Sequence, residues 1–141
     1  RGLVGSEMCI RDRCKRLRIL GFTGTPIIRG NLNAMDKSLL PSLQTVCTEI
    51  LNNIAKHGKP GAFAFILSVG PDAVRIFASN LYNAAINSAP ENHYGTALIQ
   101  DFAQQHNGTM TINSENEEWS LSLTIPLAHQ VKLMFSPTEK L

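Results

Sequence analysis

The chain has 141 residues, 43% of them apolar and 17% charged, which is enough for one domain with a single core and too few for two ordinary ones. A formal net charge of +2 gives no strong field for nucleic acid or an anionic membrane surface, and no apolar run approaches the ~20 residues that span a bilayer. Cys9, Cys14 and Cys47 form neither a paired framework nor a metal-ligand spacing, which suits a reducing cytosol.

The opening segment RGLVGSEMCIRDR (1–13) has no clear amphipathic period, no signal-peptide core and no cleavage signature. It resembles a translated sequencing-adapter read-through and reads as a non-native leader. On that reading the natural protein extended further upstream. Residues 14–21, CKRLRILG, read as the end of a truncated upstream helix stopped by Gly21. The basic run Arg11, Arg13, Lys15, Arg16 and Arg18 has the pattern of a solvated chain end or helix face.

TPIIRGNL (25–32) reads as a short strand, followed by a polar loop to Ser38. A helix then starts near Pro41, with Leu43, Val46, Cys47, Ile50, Leu51 and Ile54 at the helical period. HGKPG (57–61) ends it, Gly58 serving as C-cap and Pro60 lying just beyond. AFAFILSV (62–69) is a buried strand, and the turn GPD (70–72) leads into AVRIFAS (73–79) to make a hairpin. Residues 80–95 are left as one long loop, of a length that often serves as a functional lid. TALIQDFAQQH (96–106) is a helix closed by Asn107–Gly108, and TMTINS (109–114) and EWSLSLTIPL (118–127) follow as strands. In the last, Trp119, Leu121, Leu123 and Ile125 alternate with Ser120, Ser122 and Thr124, so one face is buried and the other meets water. The tail 128–141 has no assigned element. The order is strand, helix, hairpin, loop, helix, hairpin, which points to the α+β class and a two-layer sandwich.

The helix at 41–57 carries a second pattern. Glu49, Asn53 and His57 recur at i, i+4 and i+8, flanked by Asn52 and Lys56, on a face distinct from the apolar stripe. A carboxylate and a carboxamide one turn apart provide hard oxygen ligands and a general-base candidate, suited to Mg²⁺ shared with substrate phosphates. Lys56 adds a point charge for phosphate. Spacing alone favours a solvated helix face, the normal surface pattern.

The segment TEILNNIAKHG resembles the N-box of the GHKL ATPase superfamily, in particular its histidine-kinase branch, and LLPSLQTVCTEILNNIAKHG is similar to that branch from the start of the helix. AVRIFASN resembles the strand that leads to the adenine-contacting acid. YGTALIQDFAQQHNGTMTI resembles the glycine box with its helix and next strand, and WSLSLTIPL resembles the terminal strand. The resemblance covers roughly residues 22–127. It implies the Bergerat fold, a mixed sheet covered on one face by helices. It also implies ATP and Mg²⁺ as cofactors, and phosphoryl transfer to a histidine on a missing dimerisation helix. A response regulator would be the partner in the full protein, which would be cytoplasmic or the cytoplasmic part of a membrane-bound sensor; no contact with nucleic acid or membrane is expected of this fragment. On this resemblance Asn53 ligates Mg²⁺, Glu49 orients or activates the attacking group as a base, and Lys56 and His57 line the phosphate side. The loop 80–95 becomes the ATP lid, and Gly95, Thr96, Ala97 and Leu98 cradle phosphate at a helix N-terminus.

Three features depart from the family's pattern. Where the family has an adenine-binding Asp, the alternation of Val74, Ile76 and Ala78 points to Asn80, with Ser79 the other candidate. An Asn carbonyl still accepts a hydrogen bond from an amino group, without the strengthening charge. Ala97 replaces the second glycine of the glycine box, and no glycine follows Asn80. Of His57, His93, His106 and His129, none stands upstream on a helix as a phospho-acceptor would. Two alternatives follow: an anti-sigma-factor serine kinase of the same fold, or a non-catalytic interaction domain that has lost nucleotide.

Overall fold

The computed structural model describes residues 2–32, 35–83 and 96–127. Helix α1 (Gly2–Ile19) precedes strand β1 (Pro26–Gly30), helix α2 (Leu40–His57) and strands β2 (Gly58–Val69) and β3 (Ala73–Tyr82). Helix α3 (Thr96–Gln105) and strands β4 (Thr109–Glu115) and β5 (Glu118–Pro126) complete the order. The strands form one mixed sheet in the order β1-β2-β3-β5-β4, with β1 parallel to β2 and every other pair antiparallel. A parallel neighbour needs a crossover, and α2 supplies it between β1 and β2.

Alternation decides which face of the sheet the helices cover. Phe65, Leu67, Val74, Ile76, Ala78, Trp119, Leu121, Leu123 and Ile125 point to one face and are buried there. The same face receives Leu43, Cys47, Ile50, Leu51 and Ile54 from α2, and Ile99, Phe102 and Ala103 from α3. This is the expected α+β sandwich with helices on one face. Each fully buried Leu, Ile or Phe contributes on the order of 1.5–3 kcal/mol.

Helix α1 runs back through the segment that the sequence pattern leaves out. Its first turns have no strong apolar period, but Ile10, Cys14 and Leu17 at i, i+4 and i+7 are buried against the core. Arg11 pairs with Glu7 one turn away at 3.1 Å, and Arg13 Nη1 donates to Asn52 Oδ1 on α2 at 2.9 Å. The helix ends as the sequence predicts. Gly21, at φ +99°, takes the left-handed position that a side chain would resist, while Phe22 N–H reaches Leu17 O at 2.9 Å and Gly21 N–H reaches Arg18 O at 3.1 Å.

Three boundaries differ from the sequence reading. Gly58 does follow α2, but it is extended (φ −77°, ψ 162°) rather than left-handed, because β2 begins at that residue. Strand β2 therefore starts four residues before the apolar run, and β3 continues through Asn80, Leu81 and Tyr82. Pairing of Asn80 with Trp119 and Leu81 with Glu118 carries β3 past the end of its own apolar pattern. The rest of the expected lid, 84–95, and the tail 128–141 lie outside the described residues. The β4–β5 turn places Asn116 and Glu117 at φ 56° and 62°, the two positive angles of a tight hairpin turn.

Burial pushes the Cys47 thiol up from an ordinary 9.0 to about 12 and Cys14 up to about 11, the latter opposed by Arg18 and Arg11. Both thiols therefore stay protonated in the fold while the unfolded chain ionises first. Their contribution to stability is complete below pH ~9 and is lost as the pH rises towards 11–12. Thermal melts at stepped pH should show the stability advantage of the native chain over Cys47→Ala constant from neutral pH to ~9, then shrinking above it.

Candidate functional site

Helix α2 presents two stripes. At ~100° per residue, Ser42, Thr45, Val46, Glu49, Asn53 and Lys56 fall within a band about 100° wide beside the core-facing stripe. The band grades from exposed Ser42, Thr45 and Lys56, through half-buried Glu49, to buried Val46 and Asn53. His57 ends the helix, half-buried. Asn52 lies off the band and is held by Arg13.

The N-terminal half of this band is one wall of a cleft of about 460 Å³. The other wall is α3, which offers Leu98, Asp101, Phe102 and Gln105 at the same i, i+3, i+4, i+7 spacing. A neighbouring groove joins Ser38 and Leu39, just before α2, to Gln105, His106 and Asn107 at the end of α3. The two helices therefore run antiparallel, and the first turn of α3, with Thr96 and Ala97, is directed towards the Glu49–Asn53 half of α2. Thr96 is half-buried there, while Ala97 and Leu98 are exposed. Gly95 lies outside the described residues.

Among the described residues, Asn53 and Asn80 are the two buried polar side chains, 3% and 1% exposed. Asn80 sits on the core face of β3 with Val74, Ile76 and Ala78, as the alternation requires, whereas Ser79 turns to the opposite face. Its Nδ2 donates to Leu81 O at 2.8 Å, and its Oδ1 is buried with no hydrogen-bond partner. A buried unpartnered carbonyl costs roughly 1–3 kcal/mol, a cost that a hydrogen-bond donor brought to it would relieve. Gly58 makes room for it. A Cβ at Gly58 would stand 2.5 Å from Ile54 O, 2.7 Å from Asn80 Nδ2 and 3.1 Å from the Phe22 ring. The end of α2, the start of β2 and Asn80 of β3 thus meet at one point.

Among solved structures, the catalytic domain of histidine kinase ThkA is similar at 13% identity, covering 86% of this chain and 93% of that one with a TM-score of 0.62. Histidine kinase AdeS of Acinetobacter baumannii is similar at 11% identity over 86% of this chain, with a TM-score of 0.64; the match spans 62% of AdeS. The histidine kinase domain of a blue-light activated kinase from Erythrobacter litoralis matches over 91% of this chain at 12% identity, with a TM-score of 0.61. The chain has the fold of a histidine-kinase catalytic domain. No protein-family model matches the sequence, and no curated protein matches it.

Within this kinase-domain fold, the described residues hold no group of three or more His, Cys, Asp or Glu side chains that could bind a metal ion by themselves. A cation here would share a carboxamide and a carboxylate with ligand oxygens, the mode that suits Mg²⁺. No described helix is long and apolar enough to cross a membrane. The sequence reading missed Ser42, Thr45, Asp101 and Gln105. Their signal was present, since Ser42 and Thr45 precede Glu49 and Asn53 on one band, but only the docking of α3 makes it a cleft.

Gly58→Ala should lower stability by about 1–3 kcal/mol, because both the Ile54 carbonyl and the Asn80 amide must give way. The urea midpoint measures this directly.

Proposed function

We propose that this chain is the ATP-binding catalytic domain of a sensor histidine kinase, transferring the γ-phosphoryl of Mg-ATP to a histidine on a dimerisation helix. The observation that carries the reading is the pair of buried asparagines. The side chains that the N-box and adenine-strand resemblances single out, Asn53 and Asn80, are the two polar ones that the described core contains.

Each residue's role follows from its setting. The free Oδ1 of Asn80 accepts a hydrogen bond from the adenine amino group, a donor that guanine lacks at that position. The carbonyl of Asn53 ligates Mg²⁺, which neutralises charge on the phosphates when bound. Glu49, half-exposed one turn earlier, takes the proton of the attacking imidazole or orients it. Lys56 and His57 border the phosphates, and the first turn of α3, from Thr96 to Leu98, directs backbone N–H groups at them. Catalysis in this arrangement is positioning and charge neutralisation. In the full protein a response regulator would take the phosphoryl group onward.

Calorimetry with a non-hydrolysable ATP analogue should give Mg²⁺-dependent binding, and no heat up to about 1 mM nucleotide would reject the reading in favour of a non-binding interaction domain. Bound nucleotide at ~100 times Kd should add about 2.7 kcal/mol to stability, a shift that the interaction domain would lack. Asn53→Ala should remove the Mg²⁺-dependent part of the affinity. Asn80→Leu should weaken the ATP analogue about tenfold and leave the GTP analogue unchanged, since it removes one base-specific acceptor; equal losses for both would refute the adenine assignment.

A further inference from the structure

None of the described helices covers the second face of the sheet, and its composition is uneven. Register places Arg29, Ser68, Arg75, Thr124 and Thr109 in one row across all five strands. The next row reads Ile27, Ile66, Phe77, Ser122 and Thr111. Ile27 and Phe77 are 41% and 39% exposed, so the side of the sheet expected to be polar carries an apolar row. Ile66, Ser68, Arg75, Phe77, Ser122 and Thr124 line a shallow groove of about 370 Å³ there.

Apart from Lys59, which pairs with Glu117 at 3.6 Å at the glutamate end, the charges on this face are segregated. Arg29 and Arg75 lie in the same row, two strand spacings or ~10 Å apart. At the other end of the face, Glu118 is opposite both Leu81 and Glu115, so two carboxylates stand directly across the hairpin from each other. Like charges in that relation destabilise a sheet. All four charged residues are exposed, and none makes an ion pair among the described residues. From Arg75 to Leu81 is six residues, ~20 Å of strand.

We propose that this face associates with the same face of a second copy of the chain, about a two-fold axis that lies in the interface and crosses the strands. That rotation reverses strand direction and sets the arginine end of each copy over the glutamate end of the other, Arg75 against the partner copy's carboxylates twice by symmetry. An axis along the strands would set arginine over arginine. Face-to-face sheets pack ~10 Å apart, a gap that an Arg and a Glu side chain together bridge, while the apolar rows are covered between them. Charges of both signs in equal number at opposite ends of one face match a self-complementary partner better than a ligand of one sign. Five strands by ~20 Å present on the order of 500 Å² per copy, below the ~800 Å² of a standard interface, so the association is weak and salt-sensitive.

Sedimentation equilibrium of the whole chain tests this. At low ionic strength and concentrations up to about 1 mM it should show a monomer–dimer equilibrium that weakens at least tenfold in about 0.5 M salt. Arg75→Glu and Glu118→Arg should each abolish the dimer, and the double variant should restore it. Phe77→Ser, which leaves every charge in place, should weaken it. A wild-type chain that stays monomeric across this range overturns the proposal, as does a dimer that survives Arg75→Glu with circular dichroism showing intact fold. So does a monomer whose Phe77 resonances respond only to an added acidic peptide, which would make the occupant a foreign chain.

Discussion

The contact between the apolar stripe of α2 and the inner face of the sheet sets the position of every other part. Leu43, Cys47, Ile50, Leu51 and Ile54 are buried together, and removing any one would open a cavity in a core packed against Phe65, Leu67 and Trp119. Because that stripe faces inward, the neighbouring band of Glu49 and Asn53 has one possible place, the margin between core and cleft. Asn53 is buried as a consequence of its angle on the helix, and Glu49 is left half in solvent for the same reason.

The site then follows from three junctions. The passage from α2 into β2 at Gly58 has no slack, and the absence of a side chain there lets Asn80 sit beneath the helix end. The extension of β3 by pairing with β5 carries Asn80 to that spot. The antiparallel docking of α3 brings its first turn towards the same end of α2. An unpartnered carbonyl in such a well-packed place is a local cost in an otherwise consistent core, which is where functional positions tend to show.

The two faces of the sheet contrast in the same terms. The inner face is apolar apart from Asn80, and the described helices cover it. The outer face is polar on β4 and β5, as the serines and threonines of β5 suggest, but it turns apolar over β1, β2 and β3 at Ile27, Ile66 and Phe77. That break and the segregated charges become visible only when residues about 50 and 90 positions apart are set in register.

Local periodicity determined a good deal of this protein from the sequence alone. The 3.6-residue stripe of α2, the polar band beside it and the two-residue alternation of β5 depend on neighbours along the chain, so they are legible without the fold. The same alternation selected Asn80 over Ser79. Only tertiary structure decided the extent of α1, whose weak period is compensated by docking on α2, and the ends of β2 and β3, which pairing extends beyond their apolar runs. It alone decided that the Asn80 carbonyl lacks a partner, that Ser42, Thr45, Asp101 and Gln105 share a cleft, and that arginines and glutamates occupy opposite ends of one sheet face. Each of these depends on a contact between distant residues, which no window of sequence contains.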